Sequence, residues 1–68
     1  MNSCDILAVN LKRNRIEQGL SQEELSYRAD IHQTYISDLE RGKRNPSLEV
    51  LDKLAAGLKV ESWKLLKI

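Results

Sequence analysis

Phenylalanine is absent from this chain, and cysteine, proline and tryptophan each occur once in 68 residues. A lone cysteine, Cys4, cannot close a disulfide within the chain. The fold must therefore be held by packing, which suits a reducing cytoplasm. No apolar run approaches the roughly 20 residues of a membrane span. No basic segment leads into an apolar stretch at the N-terminus, so no secretory signal is expected. Strand-like alternation between turn signals is missing, as are repeats and low-complexity tracts. His32, the single histidine, forms no familiar metal-ligand spacing with Cys4. No nucleophile with a nearby histidine and no glycine-rich phosphate loop is present. The expectation is a non-enzyme without cofactor or metal. Residues 1–68 make one domain, because a chain this short buries only about 60% of its unfolded surface and has no room for a lidded cleft.

Charge of one sign is also lacking. The net charge is +1, but it is unevenly spread: residues 21–40 carry −4 and residues 41–68 carry +4. Overall charge therefore gives no argument for nucleic acid, and the basic strip that starts at Arg41 gives a weak one.

Leu, Ile, Glu, Lys, Gln and Arg dominate what remains, a helix-forming composition. Leu7 and Leu11, with Ile16, Ile6 and Val9 nearby, predict a helix over about 5–18. Gly19 ends it in a left-handed turn, with Leu20 folding back. Ser21-Gln22-Glu23-Glu24 reads as a capping box that opens a second helix. Its apolar face is Leu25 and Ala29. Asp30 supplies the turn, since Asp tolerates the left-handed region better than most residues. A third helix over about 33–40 turns Ile36 and Leu39 inward, and Ile31 plugs the turn. Lys43-Arg44-Asn45-Pro46 is a basic loop. Ser47 caps a fourth helix over about 48–58 with Leu48, Leu51, Leu54, Ala55 and Leu58 on its core face. A last short helix over about 61–67 carries Trp63, Leu65, Leu66 and Ile68.

Gln22 to Arg41 is thus a short helix, a tight turn and a second short helix. Such a pair places its second helix on the outside, where it can enter a major groove. Close packing near the turn requires a small residue, and Ser26 sits there. Leu20-Ser21-Gln22-Glu23-Glu24-Leu25 and the run Thr34-Tyr35-Ile36-Ser37-Asp38-Leu39-Glu40-Arg41-Gly42-Lys43-Arg44-Asn45-Pro46-Ser47-Leu48 resemble the Xre/Cro–CI family of helix-turn-helix regulators. The resemblance covers about residues 7–66. Thr34-Tyr35-Ile36-Ser37 is similar to the recognition helix of restriction–modification controller proteins. The chain departs from the family at Asp30, where Gly is usual, and at Ser26, where Ala is usual.

The resemblance implies an all-α, five-helix, lambda-repressor-like DNA-binding fold and a set of roles. Gln33, Thr34, Ser37 and Asp38 would face base edges, Gln toward adenine and a Thr methyl toward thymine. Gln22, His32, Tyr35, Lys43, Arg44 and Asn45 would hold the sugar-phosphate backbone. Arg15 and Glu40 would pair to brace the recognition helix. The partner would be double-stranded DNA in the cytoplasm, with RNA polymerase a further candidate partner. Trp63, Leu65, Leu66 and Ile68 are too apolar for a free tail, so they are candidates for a homodimer surface. A rival reading, a helical adaptor that keeps the fold and binds protein, draws on the acidic stretch 21–40.

Overall fold

Residues 2–68 are described by the computed structural model, and among them the chain forms four α-helices and one 3-10 helix. Helix α1 (Ser3–Glu17) begins earlier than its apolar pattern suggests, because the Asn2 side chain accepts from the Asp5 backbone N–H. An asparagine cap satisfies a helix-end donor that would otherwise be orphaned. Leu7, Ala8 and Leu11 give the buried stripe. Ile16 and Val9 do not join it and are about half exposed. Gly19 adopts φ +71°, and the Leu20 N–H returns to the Arg15 carbonyl. The buried Leu20 side chain completes this helix stop.

Helix α2 (Gln22–Ala29) opens on the full capping box: Ser21 Oγ accepts from the Glu24 N–H, and Glu24 Oε1 accepts from the Ser21 N–H. Asp30 closes it at φ 55°, ψ 49°. Helix α3 (Gln33–Glu40) buries Ile36 and Leu39 completely. His32 stands at its N-cap without a side-chain hydrogen bond to the helix.

Ser47 caps helix α4 (Leu48–Leu58), whose buried face is Leu51, Leu54, Ala55, Gly57 and Leu58. Leu48 departs from the expected core face: at 80% exposure it lies outside. In the first turn of a helix, a side chain can project beyond the edge of the element opposite. Helices α2 and α4 approach closely at Gly57, where a Cβ would come within 3.2 Å of the Ala29 backbone. That contact is a second place, besides Ser26, where a small residue is called for. Ser26 turns its hydroxyl to the Glu23 carbonyl.

The expected fifth helix is a 3-10 helix (Ser62–Leu66), so the α-helix count is four rather than five. It packs against α1 and α4. Leu65 is fully buried there, which removes it from the candidate dimer surface: it finishes the core. Asn10, a buried polar residue at the edge of the core, holds this segment by donating to the Leu65 and Lys67 carbonyls at 3.0 and 2.8 Å. Its own oxygen accepts from Arg13. Two backbone acceptors that α-helical bonding does not reach are satisfied in this way.

Candidate nucleic-acid interface

Helical geometry of about 100° per residue sets which side of α3 is free. Ile36 and Leu39 point inward, which turns Thr34 almost directly outward, with Ser37 and Asp38 to either side. Gln33 and Thr34 are exposed, and Ser37 and Asp38 are half-buried. These four expected base readers lie on the exposed half of one short helix.

The base of that helix is braced. Arg15 Nε and Nη2 donate to the two oxygens of Glu40 at 2.6 and 2.9 Å. Arg15 Nη1 also donates to the Leu20 carbonyl at 2.7 Å. One guanidinium therefore ties α1, the turn before α2 and the end of α3. The Arg15 and Glu40 side chains are only 12% and 4% exposed. The hydrogen bond to Glu40 raises the Arg15 pKa above its ordinary value, against the opposing effect of burial. A planar fork matched to a carboxylate is the strongest geometry available to such a pair.

Gln22, expected at a phosphate, is part of the same network. Its Nε2 donates to Glu40 Oε1 at 3.1 Å. The amide is thereby anchored at the start of α2, with its carbonyl oxygen and second N–H uncommitted by that bond. Beside it, the positive end of the α2 dipole is met by the first-turn carboxylates of Glu23 and Glu24. Glu24 sits in that turn with its pKa lowered, first by the Ser21 backbone N–H and then by the Ser21 hydroxyl.

On the other flank, α3 runs into the loop that holds Lys43, Arg44 and Asn45, all exposed. Gly42 takes φ +71° here, and the Lys43 N–H donates to the Asp38 carbonyl. The Arg44 guanidinium lies over the Tyr35 ring at 4.4 Å from its centroid. Asp38 Oδ1 accepts from Arg41 Nη2 at 2.6 Å, and Oδ2 lies 4.0 Å from Arg44 Nε. Asn45 accepts from the Cys4 thiol at the start of α1. His32 is exposed at the opposite end of α3. The Arg41–Asp38 contact was not foreseen, although its three-residue spacing on a helical face was readable.

Of the candidate dimer residues, Trp63, Leu66 and Ile68 remain outside, at 55%, 44% and 102% exposure. Ser62, next to Trp63, donates to Asp52 of α4. Asp52 lies one turn beyond the exposed Leu48, so this edge of α4 and the 3-10 helix are neighbours. No group of His, Cys, Asp and Glu among the described residues could hold a metal ion. No described helix is long and apolar enough to cross a membrane.

Comparison with known proteins shows the family and the fold. The helix-turn-helix family profile matches residues 11–62. The control protein C.BamHI of Bacillus amyloliquefaciens is 46% identical over 50 residues, covering 74% of this chain and 62% of that protein. The chain thus spans about three fifths of that relative's length. The crystal structure of the restriction-modification controller protein C.AhdI from Aeromonas hydrophila superposes with a TM-score of 0.88 at 35% identity, covering 91% of this chain and 94% of that one. The controller protein C.Esp1396I, solved as a tetramer in complex with its natural 35 base-pair operator, superposes with a TM-score of 0.86 at 29% identity. It covers 98% of this chain and 99% of its own.

Proposed function

The chain belongs to the helix-turn-helix family of transcriptional regulators, and from that premise we propose that it binds an inverted-repeat operator as a dimer, inserting α3 into the major groove. The observation that carries this reading is the outward face of α3. On that face Gln33 and Thr34 are exposed and Ser37 is half-buried, with the α2 N-terminus tied to Glu40 through Gln22 on one flank and the Lys43–Asn45 loop tied to Tyr35 and Asp38 through Arg44 on the other. That arrangement matches a groove between two phosphate rails. Gln33, Thr34 and Ser37 read base edges, Gln by a bidentate contact and Thr by its methyl group; Asp38, the fourth expected base reader, has its carboxylate engaged by Arg41 instead. Gln22, His32, Tyr35, Lys43, Arg44 and Asn45 hold the backbone and set the register.

Two copies pair through the exposed edge of α4 and the C-terminal segment, with Trp63, Leu66 and Ile68 as the apolar members and the exposed Leu48 added to them. Their recognition helices then reach successive grooves about 34 Å apart. The domain occupies residues 1–68 and acts in the cytoplasm, without catalysis. Regulation through protein concentration and promoter architecture favours autoregulation, with RNA polymerase as a partner at the promoter. The operator complex of C.Esp1396I supports the DNA-binding part of this reading for a relative of the same fold.

The test is an electrophoretic mobility shift with DNA from the chain's own promoter across a salt series. The expected result is a specific complex whose affinity falls steeply with salt, because binding releases counter-ions from the duplex. Absent or salt-independent binding would favour the adaptor reading instead.

A further inference from the structure

Asp38 is a negative charge set where a phosphate-binding surface should avoid one. It lies one turn beyond Thr34, roughly 40° from it around α3. Its two oxygens are divided between cations: Arg41 at 2.6 Å and Arg44 at 4.0 Å. Arg44 in turn rests on Tyr35. Tyr35, Asp38, Arg41 and Arg44 therefore form one connected patch from the recognition helix into the basic loop. Both arginines are about half exposed, at 56% and 49%, whereas Asp38 is 24% exposed beneath them.

We propose that Asp38 is a specificity-determining residue that acts as an internal counter-ion: it competes with phosphate for Arg41 and Arg44 and holds both in one geometry. The inference rests on the reading that α3 faces DNA. Sequence-independent binding is almost wholly electrostatic, so one carboxylate at the interface weakens it on every duplex. On the operator, the same carboxylate has an opposite effect. Arginines held by Asp38 in one arrangement lose less rotamer freedom where the phosphates of a duplex match that arrangement. On other DNA the arginines contact phosphate in many arrangements, and that pre-ordering gives no advantage. The carboxylate thus penalises wrong sites more than the right one, a repulsive element that widens the gap between them.

The test compares wild type, Asp38→Asn and Asp38→Glu on two duplexes: alternating dI-dC and the strongest sequence that wild type selects from a random pool. Asp38→Asn is expected to raise affinity for dI-dC about three- to tenfold near 0.1 M salt and to steepen the salt slope by about one. Its affinity for the selected duplex should change less than threefold, so discrimination falls. Asp38→Glu keeps the charge and should keep most of the discrimination. Equal gains on both duplexes would make Asp38 an unselective charge and overturn the proposal. So would a tenfold loss on the selected duplex with no gain on dI-dC, which would make Asp38 a direct base contact. If wild type binds neither duplex, the reading of α3 falls and this proposal with it. If wild type discriminates and Asp38→Asn behaves identically, this proposal alone falls.

Discussion

Arg15 and Glu40 meet in a two-pronged ion pair, 25 residues apart in sequence and almost closed to solvent. The pair joins α1 to the last residue of α3, and Gln22 adds a third hydrogen bond to the same carboxylate. A buried pair of this kind contributes little net stability, because desolvation offsets attraction, but removing one partner strands the other. Glu40→Ala is therefore expected to cost about 3 kcal/mol, and Arg15→Ala a similar amount. The double variant should cost clearly less than the sum. Urea denaturation of the four proteins measures this, and simple additivity would show that the two side chains are not coupled.

Thr34 and Arg44 should fail in different ways. Thr34→Ala is expected to alter operator preference while leaving affinity for random DNA nearly intact. Arg44→Ala should weaken binding to all sequences alike and lower the salt slope by about one. Titrations over a range of salt separate the two, and unchanged preference in Thr34→Ala would remove that residue from the base edges.

Gly57 is a packing glycine. A methyl group there meets the Ala29 N, Cα and Cβ at 3.2 Å, atoms that no side-chain rotation can move away. The gain in helix propensity for Gly57→Ala, up to about 1 kcal/mol, opposes an overpacking cost of about 1–3 kcal/mol. A net loss of about 1 kcal/mol is expected from thermal melts. A variant more stable than wild type would mean that α2 and α4 separate without cost.

Leu65 and Leu66 are adjacent, yet they should report on different things. Leu65→Ala empties a fully buried site and should cost about 2–5 kcal/mol of stability. Leu66→Ala, or Trp63→Ala, should leave monomer stability nearly unchanged and raise the dimer dissociation constant. Sedimentation equilibrium combined with denaturation resolves both effects. Unaltered self-association in the Trp63 and Leu66 variants would move the dimer surface elsewhere.

Glu24 links stability to pH. Its carboxyl is held below its ordinary pKa by the Ser21 N–H and then by the Ser21 hydroxyl. A folded-state pKa below the unfolded one gives stabilisation that is complete above the unfolded value. That stabilisation is lost as pH falls through the folded value. Acidification below the ordinary glutamate range, about 4.3, should therefore lower Tm more in wild type than in Glu24→Gln. Parallel Tm–pH curves for the two proteins would argue against the capping box as the source.

Local chemistry was legible without the fold. Ser21 to Glu24, Gly19-Leu20 and Ser47 each mark a helix end through groups within a few residues of one another, so no distant partner is needed to read them. The spacing of Leu7 with Leu11 and of Ile36 with Leu39 likewise identified inward faces. The candidate base readers follow from the same periodicity, since fixing the inward side of α3 fixes its outward side. Leu48 and Leu65 were not legible in this way. Each is a leucine near the end of a helical segment, and only the neighbour opposite determines that the first is exposed and the second buried. Asn10 bonds backbone carbonyls more than 50 residues away, and Gly57 is required by the approach of Ala29, so neither has a local signature. The sequence by itself determined where the chain turns and which face of α3 points out. Tertiary structure alone decided which apolar side chains close the core and how Asp38 shares its two arginines, because those outcomes depend on residues brought together only when the helices pack.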